Sequence, residues 1–325
     1  MPIRRVLIAN RGEIAARIIR SCRALGIETV LAVSEADRDS MPARLADRAV
    51  CIGPGQSSES YLKIDALVQA ALGTGADAIH PGYGFLSERA PFAQRCEDAG
   101  LIFIGPTPAQ IEAVGDKLRA RSAAEAADVP VVPGGATQTL QEAQRLAERI
   151  GAPLLIKAVG GGGGRGMKRV DQLSDLPATL DMASAEASAA FGDARVYLER
   201  YVARGRHVEV QVLGDGCGEV LHLGERDCSV QRRYQKLIEE SPAPRLDPTL
   251  REQLLAAAVR FAKRLAYRGA GTVEFLVDMD RQEFYFLEMN ARIQVEHPVT
   301  ELVTGLDLVA QQIAIAEGRG LSMSQ

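Results

Sequence analysis

Residues 283–296 read Glu-Phe-Tyr-Phe-Leu-Glu-Met-Asn-Ala-Arg-Ile-Gln-Val-Glu. Side chains alternate faces along a strand. The odd positions Tyr285, Leu287, Met289, Ala291, Ile293 and Val295 are apolar or aromatic, and the even positions Glu288, Asn290, Arg292, Gln294 and Glu296 are polar. An extended chain here packs one face on a core and presents a polar row on the other. A solvated outer face is the ordinary reading of such a row, and the preceding strand, Thr272–Val277, decides against it. A hairpin centred on Arg281 sets Glu274 opposite Glu288. Directly opposed Cβ atoms lie ~4.5–5.5 Å apart, and like charges there repel, so the pair needs a cation or a shared proton. Asn290 adds an oxygen on the same face, and hard oxygen ligands suit Mg²⁺. A one-residue slip would remove the site. Arg292 and Glu296, four residues apart on that face, are expected to line one small pocket.

Upstream segments extend the pattern. In Arg206–Val212, His207, Glu209 and Gln211 share one face and Val208, Val210 and Val212 the other. A lone histidine is equally readable as structural or as a nucleotide contact. Residues 225–236 are charge-dense without helical spacing, which reads as a loop, either solvated or anion-binding. Gly160–Gly166 contains six glycines in seven residues and formally fits G-x-G-x-x-G. The dinucleotide reading fails because that motif needs a following helix, whereas Met167-Lys168-Arg169-Val170 continues as strand. Met167 also stands where a P-loop requires lysine. What remains is a mobile linker or a hairpin tip whose bare N–H groups close over phosphate. Lys157 on the adjacent strand favours phosphate.

Further out, Arg5–Ala9, Thr29–Val33, Ala76–Ile79 and Leu101–Ile104 read as strands, with a helix over Glu13–Leu25. Such alternation implies an open, doubly wound parallel sheet. A second region starts near Ile111, with a loop at Gly134–Gly135, a helix over Leu140–Ile150 and strands at 154–159 and 167–170. The last third reads as antiparallel strands and a helix over 306–317. The chain has 325 residues, 46% hydrophobic, with net charge −4. That is enough for two or three domains, and it lacks the clustered Lys/Arg of a nucleic-acid partner. No segment approaches the ~20 apolar residues of a membrane span. Five scattered cysteines without a CxxC pair indicate reduced, cytoplasmic thiols. The lack of Trp argues against a carbohydrate- or peptide-stacking surface.

Several long segments, in order and across essentially the whole chain, resemble biotin carboxylase. They are Ala9–Ala15, His80–Glu88, Gly115-Asp116-Lys117, Gly160–Met167, Glu225–Lys236 and Glu288–Pro298. The resemblance implies an N-terminal Rossmann-like domain over residues 1–113. It implies an α+β ATP-grasp domain over 114–325, with a mobile lid at about 131–202. Lys117 and Lys157 would hold ATP phosphates, with Gly163, Gly164 and Met167 in the flap above. Glu199, Arg200, Tyr201 and Val202 would form the adenine hinge, and His207, Gln231 and Tyr234 would complete the nucleotide pocket. Glu274 and Glu288, with Asn290, would bind Mg²⁺ or Mn²⁺. Lys236, Arg292, Gln294 and Val295 would hold bicarbonate, with Glu296 as its base. The implied reaction passes through carboxyphosphate to carboxylate biotin on a carrier domain, which serves the carboxyltransferase component of an acyl-CoA or related carboxylase.

Two departures accompany the resemblance. Tyr234 stands where the family motif commonly has His. The chain is also expected to stop short of the family's C-terminal domain, which carries an Arg acting on the biotin enolate and the usual homodimer contacts. Two other readings follow: a nucleotide-binding chain that does not turn over, or another ATP-grasp ligase. The string Arg292–His297 speaks against the latter.

Overall fold

The computed structural model describes residues 2–161 and 166–325. Gly163 and Gly164 lie outside the described residues. The N-terminal sheet comprises β1 (Arg5–Ile8), β2 (Glu28–Ser34), β3 (Arg48–Gly53), β4 (Ala78–His80) and β5 (Ile102–Phe103), in the order β3-β2-β1-β4-β5. All four pairings are parallel. Parallel strands buried on both faces need apolar side chains at successive positions, and Val6, Leu7 and Ile8 supply them. Leu7, Val30, Ala32 and Ile79 enter one apolar core, and Val6, Ile8, Leu31 and Ala78 enter another. The helix Gly12–Ala24 covers the second with Ile14, Ile18, Ile19 and Cys22. The expected doubly wound sheet is therefore present.

Two helices lead onward. Pro108–Gly115 starts at a reciprocal capping box between Thr107 and Gln110. Lys117–Glu125 is capped by the Asp116 carboxylate, which accepts from the N–H groups of Leu118 and Arg119. A four-stranded antiparallel sheet follows, ordered β6-β9-β7-β8 from β6 (Gly134–Ala136), β7 (Leu154–Ala158), β8 (Met167–Val170) and β9 (Val196–Arg200). It packs a small core of its own, including Leu146, Leu154, Ile156, Leu176 and Leu198.

The largest sheet is antiparallel, ordered β12-β11-β10-β13-β14, from β10 (Gly205–Asp215), β11 (Val220–Arg232), β12 (Gln235–Glu240), β13 (Arg268–Asp278) and β14 (Glu283–Asn290). Val208, Val210, Val212, Val273, Phe275 and Val277 join Leu254, Ala257, Ala258 and Phe261 of the helix Pro248–Arg264 in one core. The opposite face of β10 and β13 carries Glu209, Gln211, Thr272 and Glu274. Among the described residues, no single helix is long and apolar enough to cross a membrane.

Three local expectations are corrected. Glu274 does pair with Glu288, but a β-bulge at Leu287 separates that pair from Phe275–Phe286. The extra residue inverts the alternation. Phe284 and Phe286 therefore face the core, while Tyr285 pairs with Leu276 on the Glu274 side. The strand also stops at Asn290, and residues 291–296 form a loop leading to the helix His297–Thr304. Arg292 and Glu296 thus share no strand face, and Val295 is 59% exposed rather than core. Second, residues 225–236 form strands instead of a loop. The charges fit a buried strand because they are paired: Arg226 with Glu209, Glu225 with Arg251, Asp227 with Arg206. Third, Gly134–Gly135 belongs to β6 rather than a loop.

Gly134 is glycine because β9 is too close for a side chain: an added Cβ would sit 2.1 Å from the Leu198 carbonyl oxygen. Gly134→Ala is expected to cost about 1–3 kcal/mol through overpacking. Urea unfolding checks the magnitude, and hydrogen exchange should show β6 and β9 losing protection before the N-terminal sheet.

Candidate active site

The polar face of the large sheet forms the floor of a cleft of about 510 Å³. Lys117, Lys157 and Met167 line it, together with Lys236, Arg292, Gln294, Val295 and Glu296. His207, Gln231, Tyr234, Glu274, Glu288 and Asn290 complete the lining. Among the described residues, those singled out in the sequence thus converge, except that Glu199, Arg200, Tyr201 and Val202 stand apart from the lining.

At the centre, the Lys236 ammonium meets three carboxylates: Glu209 Oε2 at 2.5 Å, Glu296 Oε1 at 2.7 Å and Glu274 Oε1 at 3.0 Å. Burial opposes its charge, but Glu274, Glu209 and Glu296 outweigh that and raise its pKa. Burial likewise opposes ionisation of Glu274. Its contacts with His207 (Nε2–Oε2 2.9 Å) and Lys236 prevail, and its pKa is lowered. Glu296 is lowered against burial by Lys236. His207 is opposed by burial yet raised by Glu274. Its Nδ1 is 2.9 Å from Gln231 Nε2.

Glu288 behaves differently. Burial raises its carboxyl pKa, Glu274 and Glu88 raise it further, and the pull of Lys117 and His207 does not offset them. The opposed pair is therefore short of positive charge on the Glu288 side, as a cation site made of carboxylates should be. Asn290 currently donates Nδ2–H to Glu274 Oε1 at 3.2 Å and accepts from Arg292 Nη2 at 2.6 Å. Glu274, Glu288 and the Asn290 amide carbonyl offer oxygen ligands, which fits Mg²⁺.

Arg292 is held as a fork. Nε donates to Glu88 Oε2 at 2.7 Å, Nη1 to Gln294 Oε1 at 2.6 Å and Nη2 to Asn290. The other Glu88 oxygen accepts from the Ala291 N–H at 3.0 Å. Elsewhere in the lining, Lys157 pairs with Glu199 at 2.5 Å, and Arg121 bonds the same carboxylate at 3.1 Å. Burial and Lys157 lower the pKa of Lys117 against the pull of Glu288. Arg200 reaches the Tyr285 hydroxyl at 2.5 Å, and the Arg169 guanidinium lies 4.4 Å from the Tyr201 ring centre. Tyr234 stands in the two-residue turn between β11 and β12. Both turn residues have left-handed φ, 51° at Arg233 and 65° at Tyr234, although neither is the glycine or asparagine such turns favour.

Sequence reading noticed Glu209 but gave it no role, and it missed Arg226 and Glu88. Arg226 is fully buried. It bonds Glu209 Oε1 (2.6 Å), Gln211 Oε1 (2.9 Å), Thr300 Oγ1 (2.7 Å) and Thr272 Oγ1 (3.3 Å). The signal that could have found it was Glu209 among alternating valines, since a buried carboxylate requires a cation.

Comparison with known proteins agrees with this geometry. The family model "Biotin carboxylase, N-terminal domain" matches residues 2–111, and "Carbamoyl-phosphate synthase L chain, ATP binding domain" matches residues 116–324. Biotin carboxylase 1 of Bacillus subtilis (strain 168) is 53% identical over 325 residues, covering 99% of this chain and 72% of that protein. A biotin carboxylase–βγ-ATP complex from Campylobacter jejuni superposes with a TM-score of 0.95 at 49% identity, covering 99% of this chain and 72% of that one. The biotin carboxylase domain dimer of Hydrogenobacter thermophilus 2-oxoglutarate carboxylase was solved with MgADP, ADP and bicarbonate. It gives 0.93 at 47% identity over 100% of this chain and 72% of that one. Fold and site together define an ATP-grasp ligase. The chain belongs to the biotin carboxylase family, and its function is that of a biotin carboxylase.

Removing one partner of a buried ion pair leaves an uncompensated charge, at a cost of about 3–5 kcal/mol. Arg226→Ala is expected to lose stability on that scale in urea unfolding. The double variant Arg226→Met, Glu209→Gln should recover most of it.

Proposed function

We propose that this protein carboxylates biotin at the expense of ATP and bicarbonate, through carboxyphosphate. The reading is carried by one observation. Two lysines, an opposed carboxylate pair and a Lys–Arg–Glu pocket line a single cleft. The bicarbonate held with MgADP in the Hydrogenobacter domain supports it.

Phosphoryl transfer needs positioning and charge stabilisation more than covalent help from the protein. Lys117 and Lys157 hold the phosphates, and Lys157 exchanges Glu199 for them. Met167 belongs to the flap above. Glu199, Arg200, Tyr201 and Val202 form the adenine hinge, and His207, Gln231 and Tyr234 complete that pocket. Glu274 and Glu288, with Asn290, would hold Mg²⁺, which would supply positive charge to the transferring phosphate. Residues 1–113 form one domain and 114–325 the next, whose lid, at about 131–202, closes over the nucleotide.

The Arg292 fork and Lys236 bind bicarbonate beside Gln294 and Val295. Glu296 is ionised at neutral pH and takes the bicarbonate proton as an oxygen attacks the γ-phosphorus. The bond from that phosphorus to the bridging oxygen breaks, and ADP leaves with the electron pair. Carboxyphosphate then divides into phosphate and CO₂; the released phosphate takes the N1′ proton of carrier-bound biotin as N1′ attacks the CO₂. The carboxybiotin passes to a carboxyltransferase component acting on an acyl-CoA or related acceptor.

Glu296→Ala should lower bicarbonate-dependent ADP release about 10²-fold or more, the scale of general-base catalysis. It should leave MgATP binding by calorimetry unchanged. ADP release that persists undiminished in this variant overturns the assignment of the base.

A further inference from the structure

The loop carrying the bicarbonate residues ends at a helix that lacks a side-chain cap. Glu296 is the N-cap of the helix His297–Thr304, yet its carboxylate makes no capping bond and points to Lys236 instead. The first N–H groups of a helix need acceptors; Pro298 has no N–H to satisfy, and His297 turns back to the preceding loop. Its backbone N–H approaches the Gln294 carbonyl oxygen at 3.3 Å, and its ring Nδ1 meets the same oxygen at 2.8 Å. A carbonyl oxygen only accepts, so Nδ1 carries the hydrogen.

We propose that His297 is a positioning residue for the bicarbonate pocket: by donating from Nδ1 to the Gln294 carbonyl it locks the loop that aims Arg292, Gln294 and Glu296. This rests on the bicarbonate reading above and adds to it a residue outside the cleft lining. Three observations support the role. His297 is 1% exposed and Gln294 4% exposed, so water does not compete for the bond. The Gln294 side chain joins both halves of the site, accepting from Arg292 Nη1 at 2.6 Å and donating to Glu274 Oε1 at 3.4 Å. Displacing its backbone moves both contacts. Finally, the surroundings favour the neutral ring. Burial lowers its pKa, aided by Arg17 and Arg226, against the Gln294 carbonyl and Glu301. Nε2 stays 3.9 Å from Glu301 Oε2, beyond hydrogen-bond range.

Asparagine places Nδ2 on Cγ where histidine has Nδ1, so it keeps the donor. Leucine fills the space without one, and glutamine carries its donor one carbon too far. His297→Leu and His297→Gln should raise the bicarbonate KM about ten-fold or more, as misplacement of a binding group does. MgATP KM should stay within about two-fold, and His297→Asn should return bicarbonate KM to within about three-fold of the parent. Equal damage to both KM values, no change in bicarbonate KM, or an Asn variant as impaired as the Gln variant overturns the proposal. Should the Leu variant fail to fold, the Asn–Gln comparison decides alone. An imidazole ¹⁵N spectrum provides a readout without turnover. A proton on Nδ1 supports the proposal, and a neutral ring protonated on Nε2 sinks it while leaving the bicarbonate reading intact. An Arg292→Ala variant with unchanged bicarbonate KM instead fails the bicarbonate reading, and the role of His297 falls with it.

Discussion

One ammonium group keeps the active face of this protein closed. Lys236 sits among Glu209, Glu274 and Glu296, all of them buried. Two like charges ~4 Å apart cost about 4 kcal/mol at a surface-like effective dielectric. Three carboxylates on one side of a sheet would therefore force it open without a cation among them. Arg226 answers for Glu209 from the other direction, and His207 for Glu274. Glu288 is left undercompensated, so the fold carries an electrostatic deficit at the proposed cation site.

The bulge at Leu287 reconciles two demands on one strand. Near the turn, β14 must hand Phe284 and Phe286 to the aromatic core, where Phe286 packs against Phe261 and Phe284 meets Phe275 edge-on. Two residues later the same strand must turn Glu288 and Asn290 toward the cleft. Strict two-residue alternation would put all four on one face. A single extra residue changes the phase, so packing and chemistry use the same strand without sharing a face.

This explains how far the sequence could be read. The pairing of Glu274 with Glu288 was legible because a centre at Arg281 absorbs the bulge by coincidence of counting. The pairs nearest the turn, such as Asp278 with Glu283, follow a centre half a residue earlier. The parallel sheet was legible from runs such as Val6-Leu7-Ile8, whose burial on two faces leaves no ambiguity. The strand character of residues 225–236 was not, because hydrophobic alternation is silent where a buried face is made of paired charges. The roles of Glu88 and Arg226 depend on partners 204 and 17 residues away, and spacing along the chain contains no trace of such pairs.

The apolar clusters also bear on how the molecule hangs together. Leu7 and Ile79 of the first sheet belong to the same cluster as Val208, Phe261 and Phe275, while Ile8 and Ile18 share another with Leu213, Ile293 and Val309. The amino-terminal sheet is thus wrapped on both sides by groups that later parts of the chain provide. On the ribosome, that sheet emerges with its own helices upon it but with neither coat finished, and part of its oily surface stays wet until the carboxyl-terminal strands and helices have been made.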